Sequence, residues 1–543
     1  MRRLCPSRSA IHLALLVAAF SPPGSVRAQP PEQHQTEPPA PAGAAEARRA
    51  TCPPGVPERL CEPWPPGEIV DRVECRADPA MSYAIYLPSS YTPDRLWPTL
   101  VVLDARGRGR HAAEHFQEAA EHFGWLVFSS NDSASDSTWD KISGPVAAIL
   151  ADAPQRFAID LRRIYLAGFS GTAHGVGVIA FEAGGRFPGA FLAGGGLPEA
   201  LPVAEVPYAV FAAAGSEDFN FREIDPLADP LAEAGVPHRV EIFDGVHEWP
   251  PAELAAEALA FFELRAMVDG TRRFLPEVAA KLAGGWLEEA AGRERDGDLV
   301  GAFRLYRGAV IDLDALVAAA GPGADAAGAA PGVRETAPDA AGAVSAAADR
   351  LRVFRTEAAS SAGRLRASAE LRRALTARRR AAEWEEERRR ELEWRVVTPL
   401  LRVEETLPLD LPTRAERLIA RLQDEAAGDG ERALAARRVL GLAAAHTGFY
   451  IPRDLLPRGE YRRVEIALEL AVQVREDNAA AWYNLACARA RLGRRAEALD
   501  SLERAIAAGY RDAGHMAADP DLESLRGEER FAALLARARE TGG

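Results

Sequence analysis

Residues 162–172 read RRIYLAGFSGT. An apolar run of strand length ends on Gly168-Phe169-Ser170-Gly171-Thr172, and a segment rich in small residues follows with helical character. A serine carried on so sharp a strand-to-helix turn has a strained backbone, and only small residues two positions away avoid collision. Gly168 meets that need on one side. On the other side Thr172 stands where a glycine is usual, so its β-branch tightens the packing. The motif predicts a hydroxyl presented at the end of a strand, the place where a nucleophile is exposed.

The pattern around this stretch alternates strands with helices. Residues 69–75 and 81–87 have the form of a hairpin. TLVVLD, residues 99–104, is a continuous apolar run bounded by Pro98 and a glycine-rich loop, and it reads as a buried strand. A helix over 111–123, a strand over 125–129, a polar loop over 130–141 and a helix near 144–157 follow. Beyond the motif come a helix near 173–184, strands at 191–193, 208–212 and 239–243, and a last helix over 251–266. Apolar strands interleaved with helices predict an α/β fold, a doubly wound and mainly parallel sheet covered on both faces. From about residue 268 the strand signals stop, and an all-α region is expected.

A serine nucleophile needs an acid and a histidine at the C-terminal ends of later strands, in the order Ser, acid, His. Both are present. YAVFAA leads into Ala214-Gly215-Ser216-Glu217-Asp218, and RVEIF leads into Asp244-Gly245-Val246-His247. Ser170 is the candidate nucleophile, His247 the general base and Asp218 the acid that orients the imidazole. Glu217, Asp225 and Asp244 compete with Asp218, which is preferred because it leads into the turn at Phe219-Asn220. The backbone N–H of Gly171 is the first expected oxyanion donor. Ala105 or Arg106, in the loop after TLVVLD, is expected to supply the second. One such donor contributes about 3–4 kcal/mol in the transition state. Trp139 and Trp249 are candidate walls of a substrate pocket. His174 reads as a surface or helix-start residue able to line that pocket. Arg106, Arg108 and Arg110 either face solvent or attract an anionic substrate. No Cys/His spacing suits zinc, and no metal or cofactor is expected.

Residues 66–266 resemble the secreted esterase branch of the α/β-hydrolases, most of all polyhydroxybutyrate depolymerase-like and carboxylesterase-like proteins. The resemblance lies in PTLVVLDARGRG (98–109), RRIYLAGFSG (162–171), GSEDFN (215–220) and GVHEWP (245–250). It covers under half of the chain. It implies hydrolysis of a small-molecule or polymeric ester through an acyl-enzyme, without a cofactor, with the family's nucleophile, acid and base on Ser170, Asp218 and His247. Dienelactone hydrolases share the fold but carry cysteine at the elbow. Thr172 and the DARGRG loop depart from the family's usual pattern, which bears on oxyanion geometry and substrate preference. Two further readings use the same residues: an inactive hydrolase-fold scaffold acting through its repeats, and a peptidase of the same fold.

The remainder of the 543 residues bounds location and partners. A net charge of −14 excludes a broad nucleic-acid footprint. Residues 1–28, with arginines ahead of an 11-residue apolar run, read as a signal peptide, and the mature chain is expected to be periplasmic or secreted with no transmembrane segment. Residues 29–65 read as a disordered tether. Cys52 pairing with Cys61, or Cys61 with Cys75, are the simple disulfides, and Cys487 reads as a buried core residue. After the sheet domain, residues 267–317 are helical and tetratricopeptide-like, and 318–347 are an Ala/Gly/Pro-rich linker. Residues 348–430 are a charged helical region, and 431–543 are tetratricopeptide-like. The clearest spacing is Trp482, Leu485, Ala486, Ala498, Leu502 and Ala505, which resembles the tetratricopeptide repeat. It recurs as Trp286, Ala290, Ala302, Tyr306 and Ala309, with a half match at Leu468 and Ala471. Such repeats imply a protein partner.

Overall fold

In the computed structural model, which describes residues 52–135, 137–320 and 340–540, the eight expected strands form one sheet. The strands are β1 (Ile69–Glu74), β2 (Ser82–Tyr86), β3 (Trp97–Leu103), β4 (Leu126–Ser130), β5 (Ile159–Phe169), β6 (Gly189–Ala193), β7 (Ala209–Gly215) and β8 (His238–Phe243). Their order is β1-β2-β4-β3-β5-β6-β7-β8. β2 pairs antiparallel with β1 and β4, and every other pairing is parallel. This is the α/β-hydrolase arrangement, with β5 near the centre. Every residue of β3, β6 and β7 is buried, as expected where helices cover both faces of a parallel sheet.

The chain divides into two compact units: one of residues up to Ser216 together with Asn220–Arg372, the other of Glu217–Phe219 with Arg373–Gly543. In the first, helices α1 (Gly109–Phe123), α2 (Asp140–Asp152), α3 (Gly171–Glu182) and α4 (Ala252–Val268) flank the sheet. α1 is amphipathic and buries Ala112, Ala113, Phe116, Ala119 and Ala120, a spacing of three and four residues that keeps one face inward. Helices α5 (Pro276–Arg295) and α6 (Leu299–Ala319) belong to the same unit, and α6 covers β8. An edge strand left open is a site of unwanted pairing, and a covering helix removes it. The spacing Trp286, Ala290, Ala302, Tyr306, Ala309 is the buried face of this helix pair. Helix α7 (Ala340–Ala367) packs on both.

Residues 1–28 and most of the expected linker lie outside the described residues. Within the expected tether, residues 52–65 pack on the first unit. Cys52 and Cys61 form a disulfide, Leu60 and Trp64 pack against the core, and the Trp64 ring lies 5.6 Å from that of Phe157. Two apolar side chains and a cross-link suffice to hold a segment whose composition is otherwise that of a tether. At the other break, residues 340–347 are helical, the start of α7.

The second unit is helical. Helix α8 (Ala369–Leu392), most of which lies in this unit, is followed by α9 (Leu411–Ala426), α10 (Glu431–Ala445), α11 (Tyr461–Val474), α12 (Ala479–Arg491), α13 (Arg495–Ala507) and α14 (Glu529–Glu540), with shorter turns between them. Leu485, Ala486, Ala498, Leu502 and Ala505 are fully buried between α12 and α13 and their neighbours. Glu385 and Arg389, spaced one helical turn apart, pair at 3.0 Å, but Glu385 is also buried and accepts from Arg438 at 2.9 Å.

Candidate active site

β3, β5, β7 and β8 all end at the same edge of the sheet, and the sequence places a chemically capable residue just beyond each. β5 ends at Phe169, and α3 begins at Gly171. Between them Ser170 has φ +58° and ψ −131°, and it is the only non-glycine residue with positive φ among the described residues. Such a conformation costs on the order of 1–3 kcal/mol and persists only where the surroundings impose it. Gly168 is one of the residues that permit it. A Cβ there would fall 2.7 Å from the Thr172 carbonyl oxygen and 2.8 Å from the Ala173 backbone.

Thr172 resolves its departure from the glycine pattern. Its side chain is fully buried, and its hydroxyl lies 2.7 Å from the Leu103 carbonyl and 2.8 Å from the Phe169 carbonyl while accepting the Phe169 N–H at 3.0 Å. The residue that a steric rule disfavours therefore ties the end of β3 to the end of β5. That hydroxyl both donates and accepts, so its burial is compensated by hydrogen bonds.

Past β8, His247 Nε2 lies 2.9 Å from Ser170 Oγ. The Phe169 ring supports the imidazole at 4.8 Å between centroids. At this distance a neutral imidazole nitrogen accepts the serine hydroxyl proton, the arrangement needed to activate it. β7 and β8 are neighbours, and their ends stay together: Ser216 donates to the Phe243 carbonyl at 2.8 Å, and a Cβ on Gly215 would meet the carbonyls of Gly245 and Val246. Asp218 follows three residues after β7 and is fully buried. Glu217 pairs with Arg437 at 2.9 Å, Asp225 pairs with Arg304, and Asp244 is exposed.

The loop after β3 separates the two oxyanion candidates. The Arg106 N–H is bonded to the Asp104 carboxylate at 2.8 Å, so it is not open to a substrate oxygen. Ala105 remains. Ser135 links Ala105 to the elbow: its N–H donates to the Ala105 carbonyl at 2.9 Å, and its Cβ would lie 2.7 Å from any Cβ added to Gly171. Gly171 thus lets the 131–135 loop close over the start of α3. The Gly171 N–H, in the first turn of α3, has no intrahelical acceptor.

The two expected pocket residues, Trp249 and Trp139, both pack against neighbouring side chains. Trp249 is only 6% exposed and lies beneath the site. It stacks on Phe169 at 5.3 Å and on His115 at 5.5 Å, and its indole N–H donates to Asp104 at 3.0 Å. Trp139, just before α2, is packed against the core cluster. His174 pairs with Glu223 at 2.6 Å. Of the arginines after β3, Arg108 is bound by Asp104, and Arg110, in the first turn of α1, by Asp71 and Glu114. Asp104 and Ser135 make contacts around the elbow that sequence reading did not single out. Asp104 had a signal, a carboxylate ending a buried strand, whereas Ser135 sits in a polar loop with nothing to single it out.

No family model and no curated protein matches this chain. Among solved structures it is similar to a thermostable esterase, at 18% identity over 35% of this chain and 58% of that one, with a TM-score of 0.28. The chain thus spans little more than half of that esterase. It is also similar to esterase B from Lactobacillus rhamnosis, at 16% identity over 42% and 93% of the two chains, with a TM-score of 0.30. A third is dipeptidyl peptidase 4 from Porphyromonas gingivalis, at 14% identity over 33% and 32%, with a TM-score of 0.25. Likeness at this level carries nothing about activity, and the fold assignment stands on strand order and register.

Proposed function

We propose that the chain is an exported serine hydrolase that cleaves carboxylic esters through an acyl-enzyme, with a helical repeat region that binds a protein partner. The observation that carries the reading is the 2.9 Å approach of His247 Nε2 to Ser170 Oγ on a strained strand-to-helix turn. Ser170 Oγ attacks the acyl carbon while its proton passes to His247. The oxyanion accepts from the N–H groups of Gly171 and Ala105. The bond to the alcohol breaks as His247 returns the proton to the departing oxygen. Water then repeats the sequence on the acyl-enzyme, releasing the acid and restoring Ser170. Asp218 holds the imidazole tautomer and stabilises the imidazolium.

Export is supported by the character of residues 1–28 and by the Cys52–Cys61 disulfide, a bond favoured in oxidising compartments. No helix of the described residues is long and apolar enough to cross a membrane. The paired helices around Ala486, Ala498 and Ala505 support the repeat reading, and surfaces of that kind bind protein segments.

The test is labelling of the purified protein by a fluorophosphonate, beside Ser170→Ala and His247→Ala. Labelling of wild type alone, with turnover of short-chain esters, is expected. Absence of labelling in folded wild type would replace this reading with that of an inactive scaffold. Cleavage of peptides without cleavage of esters would replace it with a peptidase.

A further inference from the structure

Asp104 is the first residue after β3, fully buried, and nothing in the chemistry above uses it. Its carboxylate is nevertheless densely hydrogen-bonded. One oxygen accepts the N–H of Arg106 at 2.8 Å, the N–H of Arg108 at 3.3 Å and Arg108 Nε at 3.0 Å. The other accepts the Arg108 guanidinium at 2.9 Å and the Trp249 indole N–H at 3.0 Å. Its backbone carbonyl accepts the Ser133 hydroxyl at 2.8 Å. An ionised carboxylate offers about four acceptor sites and no donor, and here donors come from two separate loops.

Those loops are the ones that flank the reacting serine. Asp104 and Arg106 flank Ala105 in sequence, the remaining candidate for the second oxyanion donor. Trp249 is two residues beyond His247 and stacks on Phe169, the ring against which the imidazole leans. We propose that Asp104 is a positioning residue that locks the 105–109 loop to the 244–249 loop, so that oxyanion donor and general base keep one alignment. The proposal rests on the serine-hydrolase reading and adds to it a coupling between its two halves. Burial pushes the Asp104 carboxyl up, but the bonds from Arg108, Trp249 and Arg106 outweigh it and hold the group below its ordinary value. It therefore stays charged at neutral pH, and its contribution is lost only as pH falls through that depressed value.

Asparagine at this position keeps the size but turns a donor toward Arg108 or Trp249. In the full-length protein, Asp104→Asn is expected to lower kcat on a short-chain nitrophenyl ester by about 10²-fold, the scale of a lost oxyanion donor. KM should stay within about threefold, since ground-state binding is not what the residue serves. Fluorophosphonate labelling should slow in parallel. Amide hydrogen exchange should rise in both loops together, which a merely local stabilising role would not produce. Trp249→Phe removes only the indole donor and keeps the test open should Asp104→Asn fold poorly. Its expected mark is faster exchange in 105–109, although the substitution lies in the other loop. Exchange changes confined to the mutated loop, or a kcat within about threefold of wild type, overturn the proposal. Should wild type label no better than Ser170→Ala, the hydrolase reading itself has failed, and the positioning role goes with it. Wild-type labelling with an unaffected Asp104→Asn rejects the positioning role alone.

Discussion

Two of the places where the first unit buries charge are built on opposite plans. At the C-terminal edge of the sheet, Asp104 has a hydrogen-bond donor on each oxygen, and Ser170 faces His247 at 2.9 Å. At the β8 edge, Arg239 and Arg265 stand 3.6 and 3.8 Å from Asp312, too far for direct hydrogen bonds, and Arg239 lies flat over Trp286 at 3.8 Å. Beside them the carboxylates of Glu241, Glu257 and Glu289 approach within 4.8 Å of one another around Arg293. The titration of the two regions differs accordingly. Burial pushes the Asp312 carboxyl up to about 6, although Arg239 and Arg265 oppose it. Burial, followed by the charges of Glu289 and Glu241, pushes Glu257 up to about 8. Strongly perturbed carboxyls are a common sign of an active site. Here they mark the seam where α5 and α6 cover the edge strand, and the candidate site is found instead by geometry and backbone strain.

Ser170→Ala tests the first region most severely. Turnover should fall by about 10⁴-fold or more, with the melting temperature of the protein nearly unchanged, as kinetics beside a thermal melt would register. An equal loss in stability and activity would mean that the serine is structural. Gly171→Val follows. Its side chain enters the space of Ser135, and activity should drop by about 10²-fold as the oxyanion side of the elbow is pushed apart.

Glu257→Gln breaks the second region. A carboxyl whose pKa is raised by folding stabilises the fold while protonated. That contribution is complete below about 4.5 and is lost as pH rises through about 8. Wild type should therefore lose stability between those values, by up to about 5 kcal/mol, and the glutamine variant should lose less, its remaining slope coming from groups such as Asp312. Denaturant melts at pH 5 and pH 9 measure both, and parallel curves for the two proteins would show that Glu257 is solvated. Activity at fixed pH should be unchanged by this substitution. The smallest effect is expected for Thr172→Val, which keeps the shape and removes the hydroxyl bridging β3 and β5. A loss of about 1–3 kcal/mol is the cost of leaving the buried carbonyl and N–H unpaired. Full stability in that variant would return Thr172 to the status of a tolerated packing substitution.

The eight strands and the elbow at Ser170 were legible because each is written locally. Alternation of apolar runs with helices, glycines at fixed offsets and a residue just beyond a strand end need no knowledge of distant contacts. The role of Thr172 depended on Leu103, 69 residues away, and that of Trp249 on Asp104, 145 residues away. That the Arg106 N–H is tied up depended on which way one buried carboxylate turned. The pairing of Cys52 with Cys61, and the packing of Leu60 and Trp64 in a stretch with the composition of a tether, depended on a core surface that composition does not describe. Periodicity states which residues lie on one face of an element. What meets that face, and which polar group satisfies which, is settled only when elements far apart in the chain close on one another.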